Sequence, residues 1–328
     1  MSRKRVLSGM RPTGRLHLGH LFGALGNWRS LQEQYDCFFF VADWHALTTE
    51  YAEPGQVKGF TTEVVLDWLA SGLDPARSVF FVQSRLPEHA ELHLLFSMIT
   101  PLAWLERVPT YKEQREQITE KDLSTYGFLG YPLLQAADIA IYQAHYVPVG
   151  VDQVPHIELA REVVRRFNFL YGPTLTEPEA LLTEFARIPG TDGRKMSKSY
   201  DNAIFLSDSP ETVTAKVKPM MTDPARKRRT DPGNPEVCPV YDLHRVFTPQ
   251  VERESYIVPG CTSAGIGCLD CKQVLLKHAL PVLAPIFERR AELARKPEAV
   301  EDVLAAGTAR ARGVASRTLE QVKAAMQI

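Results

Sequence analysis

No stretch of this chain approaches the ~18–20 consecutive apolar residues that a membrane-crossing helix requires, so membrane insertion is not expected. The opening Met1-Ser2-Arg3-Lys4-Arg5 is followed by no apolar core segment, which argues against a secretory leader. Charge of neither sign prevails: 38 Lys and Arg against 39 Asp and Glu leave a formal net charge of −1. Any nucleic-acid contact must therefore come from a local basic patch rather than from the whole surface. Cysteine is scarce, with five in 328 residues, far below the density of a disulfide-stapled scaffold. Internal repeats and low-complexity tracts are also missing. What remains is the expectation of a soluble, cytoplasmic protein. A content of 45% hydrophobic and 23% charged residues suits a sizeable core and speaks against disorder. The length allows one large or two ordinary domains.

Short apolar runs at residues 6–7, 37–41, 79–82 and 146–149 read as buried strands, and amphipathic stretches at 61–70, 88–98 and 130–143 read as helices between them. That alternation predicts an α/β fold with a parallel, doubly wound sheet. Ligands of such sheets bind beyond the carboxyl ends of the strands. Gly172-Pro173 and Glu177-Pro178 punctuate the end of this region. From residue 210 the pattern is helical, broken at 219–236 and 258–271. At 298–326 Val300, Val303, Leu304, Val314, Leu319, Val322 and Met326 recur at helical spacing. The expected division is a catalytic domain at 1–188, a polar loop at 189–206 and a smaller helical domain at 207–328.

Two short elements carry the chemistry. After the first strand comes Gly9-Met10-Arg11-Pro12-Thr13-Gly14-Arg15-Leu16-His17-Leu18-Gly19-His20. His17 and His20 share one face of a first helical turn, where unpaired backbone N–H groups and the helix dipole favour phosphate oxygens. Gly19 between them lets a flat ring approach the backbone. Far downstream, Lys195-Met196-Ser197-Lys198-Ser199 adds positive charge suited to an anionic transition state.

The pair resembles the HIGH-type element and KMSKS loop of the class I aminoacyl-tRNA synthetases. Three further stretches resemble the bacterial tryptophanyl-tRNA synthetases over essentially the whole chain. They are Ala42-Asp43-Trp44-His45-Ala46-Leu47-Thr48; Tyr131-Pro132-Leu133-Leu134-Gln135-Ala136-Ala137-Asp138-Ile139; and Pro148-Val149-Gly150-Val151-Asp152-Gln153 with His156-Ile157-Glu158. The tyrosyl enzymes share the Gly-x-Asp-Gln element, so that stretch alone does not discriminate. The resemblance implies a Rossmann-like class I catalytic domain with a helical anticodon-binding domain, and a homodimer joined through the catalytic domain. Its implied partners are ATP with Mg²⁺, L-tryptophan and tRNA(Trp).

Carried over residue by residue, the resemblance implies catalytic roles for His17, His20, Lys195, Ser197 and Lys198. Arg11, Thr13, Gly14, His17, Gly19, His20, Gly150, Asp152, Gln153, Lys195, Met196, Ser197 and Lys198 would bind ATP. Leu7, His45, Tyr131, Gln135, Asp138, Val147, Val149 and Gln153 would bind tryptophan. Physical chemistry agrees on the last pocket. Indole has one polar atom, an N–H that only donates, so it needs one acceptor in an apolar wall, and Asp138 is that acceptor by resemblance. By itself Asp138 also reads as a surface carboxylate, but its neighbours Ala136, Ala137, Ile139 and Ala140 argue for burial with a partner. Asp152 also reads as an N-cap, His45 as an ordinary core histidine, and Tyr131 as a core aromatic. Gln135 and Thr110 depart from residues common in relatives, and Lys112 stands near the second of these. A paralogue that binds without aminoacylating, or an enzyme for tyrosine, are the alternatives.

Cys37 sits in an aromatic strand and reads as an inert buried thiol. Cys238, Cys261, Cys268 and Cys271 follow C-x22-C-x6-C-x2-C. By spacing alone zinc is the default. A subset of the resembled synthetases carries a [4Fe-4S] cluster on this spacing, which implies the cluster here, with zinc as the alternative. Lys216, Lys218, Arg226, Lys227, Arg228 and Arg229 form the densest basic stretch, readable as a phosphate-binding patch or a solvated loop. Arg310, Arg312, Arg317 and Lys323 read as an exposed helix face.

Overall fold

The computed structural model describes residues 3–117, 121–182 and 188–328. Five parallel strands form one sheet in the order β3-β2-β1-β4-β5. They are β1 Arg5–Met10, β2 Asp36–Val41, β3 Ser78–Val82, β4 Tyr146–Val149 and β5 Glu179–Leu182. The central register pairs Val6 with Cys37 on one side and with Tyr146 on the other. Strand order reverses between β1 and β4, which opens a crevice at their carboxyl ends.

Both faces of the sheet are covered at its centre, so β2 and β3 read as nearly continuous buried apolar runs. Along β2, Cys37, Phe39 and Val41 meet a layer that includes Trp28, Val64 and Trp68 from the Gly26–Gln34 and Gly55–Ala70 helices. Phe38 and Phe40 point the other way, to Phe96, Phe128, Ala137 and Ile157 of the Glu88–Ser97, Tyr126–Ile141 and Val154–Tyr171 helices. This alternation is the two-residue strand period.

The first four strands and the helices between them lie where the periodicity places them. The fifth strand was not expected. Its sequence, Glu-Ala-Leu-Leu, consists of helix formers, and only pairing with β4 makes it a strand.

The final segment is one helix, Pro297–Met326. It crosses the outer edge of the sheet at β3. Val300 and Leu304 join one core layer, while Ala311, Ala315, Leu319 and Val322 join the other. Gly307 makes the crossing possible: a Cβ there would stand 1.8 Å from the Phe80 carbonyl oxygen. The helix thus seals an edge that would otherwise expose strand backbone. Arg310, Arg312 and Arg317 are exposed, as expected, but several of the helix's basic groups are also engaged. Arg310 donates to the Pro75 carbonyl at 3.2 Å, Arg312 donates to the Arg85 carbonyl, and Lys323 pairs with Glu91. No described helix is long and apolar enough to cross a membrane.

Candidate active site

A cavity of about 420 Å³ opens at the β1–β4 crevice. Its floor is apolar, from Leu7, Phe40, Val147 and Val149; His45, Tyr131, Gln135, Asp138 and Gln153 supply polar atoms, with Arg11 and Gly150 among the lining strand-end residues. All of the expected tryptophan-binding residues line this cavity.

The first motif folds as its spacing suggests. His17 caps the Leu18–His20 turn, accepting the Gly19 N–H on Nδ1 at 3.1 Å. His20 reaches back, and its Nδ1 accepts the His17 N–H at 3.2 Å. With Nδ1 an acceptor in both rings, each neutral imidazole carries its proton on Nε2 and can donate from there. The rings lie 4.0 Å apart. Burial, then the nearby Lys198 and Lys195 charges, push His17 down to about 4. Burial and its neighbouring His17 also hold His20 well below the ordinary range. Both are therefore neutral donors near pH 7. The flat ring over Gly19 is the His17 imidazole itself: a Cβ on Gly19 would meet its Cε1 at 2.9 Å.

The second motif lies against the first. The Leu18 N–H donates to the Ile204 carbonyl at 3.0 Å, and the Leu206 N–H to the Leu16 carbonyl at 2.9 Å. Lys198 Nζ donates to the Gly14 carbonyl at 2.9 Å. Gly14 needs to be glycine because its φ is +127° and Lys198 lies over it. Burial lowers the Lys198 ammonium to about 8, opposed by the Asp67 carboxylate. Lys195 is exposed, Met196 is buried, and the Ser197 hydroxyl accepts the Ser199 N–H at 3.3 Å. Thr13 is exposed in the turn of the first motif.

The loop's organiser was not foreseen. Buried Asn202 accepts the Ser197 N–H at 2.8 Å and donates to Asp192 at 2.7 Å and to the Lys195 carbonyl at 3.2 Å.

Asp138 is 1% exposed and surrounded by donors. His45 Nε2 donates to Oδ2 at 2.8 Å and His89 Nδ1 to Oδ1 at 2.7 Å, while Gln83 Nε2 reaches both oxygens at 2.9 Å. His89 is in turn fixed by the Tyr142 hydroxyl at 2.8 Å. These hydrogen bonds outweigh burial and hold the carboxyl well below the usual carboxylate range. Gln83 and His89 escaped sequence reading because no local pattern marks them. The same holds for His156 as a pocket residue. It lines the cavity and meets the Thr110 hydroxyl at 2.5 Å, while its Nδ1 has no partner. Burial pushes it down to about 4. The Tyr131 hydroxyl also reaches Thr110, at 3.4 Å. Lys112 is exposed. Asp152 is exposed and accepts from Gln153 at 2.9 Å; the N-cap of the following helix is Gln153, so the capping alternative for Asp152 is not realised.

A family model described as tRNA synthetases class I (W and Y) matches residues 2–283. The tryptophan–tRNA ligase of Thermotoga maritima is 56% identical over 325 residues, covering 99% of this chain and 99% of that one. The Aquifex aeolicus tryptophan–tRNA ligase is 46% identical and covers 99% of this chain and 100% of its own. The chain belongs to the class I tryptophan–tRNA ligases. A tryptophanyl-tRNA synthetase from Campylobacter jejuni, solved with ADP and tryptophan, superposes with a TM-score of 0.90 at 31% identity, covering 99% of this chain and 100% of that one. A tyrosyl-tRNA synthetase from Archaeoglobus fulgidus, at 24% identity and a TM-score of 0.64, shares the fold.

In this ligase the four late cysteines come near one another. Burial comes first, and mutual repulsion with Cys238, Cys261 and Cys268 adds to it, pushing Cys271 up to about 12. A Cβ on Gly233 would stand 2.7 Å from Cys261 Sγ. His244 Nε2 contacts Cys271 Sγ at 3.2 Å. Yet among the described residues no group of three or more His, Cys, Asp or Glu side chains is placed to hold a metal ion. The geometry therefore lends no support of its own to either zinc or a cluster at these cysteines. In the basic stretch, Lys216 pairs with Asp208 at 2.6 Å and Arg226 donates to the Ile266 carbonyl at 2.7 Å, whereas Lys227 and Arg228 are exposed.

Proposed function

We propose that this ligase activates L-tryptophan at the β1–β4 cavity and transfers it to tRNA(Trp). The observation that carries the reading is the joining of the two motifs directly beside an apolar cavity with one deeply buried carboxylate. In the first step a carboxylate oxygen of tryptophan attacks the α-phosphorus of MgATP. The bond from that phosphorus to the bridging oxygen breaks, leaving tryptophanyl-adenylate and pyrophosphate. In the second, the 2′-hydroxyl of the terminal tRNA adenosine attacks the adenylate carbonyl, and AMP leaves. Little covalent chemistry is asked of the protein, so catalysis lies in positioning and charge neutralisation. His17 and His20 donate Nε2–H to the triphosphate without adding charge. Lys198 and the exposed Lys195 neutralise the leaving pyrophosphate, and Ser197 adds a hydroxyl. Arg11 stands at the mouth for the α-phosphate, Gly14, Gly19 and Met196 shape the nucleotide's seat, and Asp152 holds the ribose.

Asp138 receives the indole N–H. All four of its lone-pair directions are already engaged by His45, His89 and the forked Gln83 contact, so the substrate takes over one of the two Gln83 contacts. Gln135, Tyr131, His45 and Gln153 complete the recognition. The charging reaction tests the proposal: labelled tryptophan becomes attached to tRNA(Trp) only with MgATP and purified protein. A protein that forms adenylate but never charges this tRNA contradicts the second step.

Cys238, Cys261, Cys268 and Cys271 suit a [4Fe-4S] cluster, which would staple the helical region rather than take part in ligation. An ion held at ~2.3 Å from each thiolate needs the sulfurs nearly in contact, and among the described residues there is no such tight group; a four-iron cluster bridges a wider gap. Anaerobically purified protein should contain equal iron and acid-labile sulfide, lost when Cys268 is changed to Ser. Zinc without sulfide would contradict the cluster. A homodimer fits exposed Leu94, Met98 and Leu102 on the segment between β3 and β4. A cytoplasmic site of action follows from the reaction.

A further inference from the structure

Asp67 and Arg290 lie outside the cavity and outside both motifs, yet they join three parts of the molecule. Asp67, on the Gly55–Ala70 helix, is fully buried. Its Oδ2 accepts the N–H of Leu16 at 3.2 Å, the residue just before His17. Its Oδ1 accepts from Arg290 Nε at 2.6 Å, and Arg290 also pairs with Glu63. Arg290 belongs to the Cys268–Ala294 helix, which begins with two of the four late cysteines. One buried carboxylate therefore ties the turn carrying His17 to a helix of the carboxyl-terminal half.

A buried carboxylate needs a partner, and removing the cation leaves it uncompensated. Even with Arg290 in place, burial raises Asp67 to about 6. Without Arg290 the group is driven toward its neutral form, a weaker acceptor for the Leu16 N–H. Asp67 also favours the charged form of Lys198, so its neutralisation would weaken both motifs at once.

We propose that Arg290 is a positioning residue for adenylate formation: acting through Asp67, it sets the Leu16–His20 turn on which the triphosphate rests and couples nucleotide binding to the placement of the Cys268–Ala294 helix. This rests on reading that turn as the ATP site. Neither residue lines the tryptophan cavity, so the two substrates should respond differently.

The test is steady-state pyrophosphate–ATP exchange on full-length R290Q, R290K and D67N, with thermal melting of each. R290Q is expected to raise KM for ATP about 5- to 30-fold, the lower part of the range of ordinary site-to-site coupling, with KM for tryptophan within about two-fold of wild type. R290K should recover part of the loss, and D67N should show the same split. Equal increases in both KM values, or a lowered melting temperature with an unchanged KM for ATP, would overturn the proposal. If R290Q does not fold, R290K and D67N decide by the same split. Absence of exchange in the wild type would sink the assignment of the reaction instead; the linkage is then read from calorimetric ATP binding to wild type and R290K, and equal affinities would refute it.

Discussion

His17 and His20 each commit Nδ1 to a backbone N–H, which fixes the tautomer and leaves the other nitrogen as a donor. Neutral donors near a phosphate work by geometry, so the positive charge must come from lysine. In the proposed reaction Lys198 supplies it, its ammonium lowered by burial to about 8. Its protonated form is present below that value and lost above it. We therefore expect kcat/KM for ATP, which reports the free enzyme, to fall as pH rises through about 8. K198R keeps a permanent charge and should move that limb upward even if the maximum drops; an unmoved limb would assign the titration elsewhere. His17, His20 and Lys198 were legible because their neighbours in sequence fix their geometry. Gln83, His89, Asn202 and Asp67 were not. Gln83 meets Asp138 across 55 positions, and no local periodicity encodes such a partner.

At the scale of elements, β1 through β4 were legible because alternating or continuous apolar runs between Gly and Pro signals leave few options. The fifth strand was hidden by helix-forming residues, and its state is decided by the neighbouring edge of β4. The carboxyl-terminal helix was legible as a helix, but its destination was not. Gly307 is the one residue that betrays it, and a lone glycine in a helical pattern has no unique meaning. G307A is a sharp probe. Alanine favours helix by about 1 kcal/mol, yet its Cβ would fall 1.8 Å from a backbone carbonyl that cannot rotate away. Overpacking of about 1–3 kcal/mol should win, seen as a lower denaturant midpoint. A midpoint at or above wild type would mean the helix shifts off β3 freely.

The whole molecule is a sheet domain clamped by its own tail. The last helix spans both core layers, and the Arg85–Glu301 and Lys323–Glu91 pairs fasten it at two levels. Exposed pairs of this kind add little each, so the clamp rests mainly on Val300, Leu304, Ala311, Ala315 and Leu319 in the core. The four cysteines and Arg290 then lie in a region physically continuous with the catalytic half. The attachment of that region was not legible in the sequence, because the contacts join segments more than 200 positions apart.

Pyrophosphate–ATP exchange driven by tryptophan or by tyrosine shows whether this cavity selects an indole N–H for activation. Exchange is expected with tryptophan alone, with a drop of about 10- to 100-fold in kcat/KM for tryptophan in D138N, the size of a lost charge-assisted hydrogen bond. Exchange driven by tyrosine, or undiminished tryptophan selectivity in D138N, would contradict that selection.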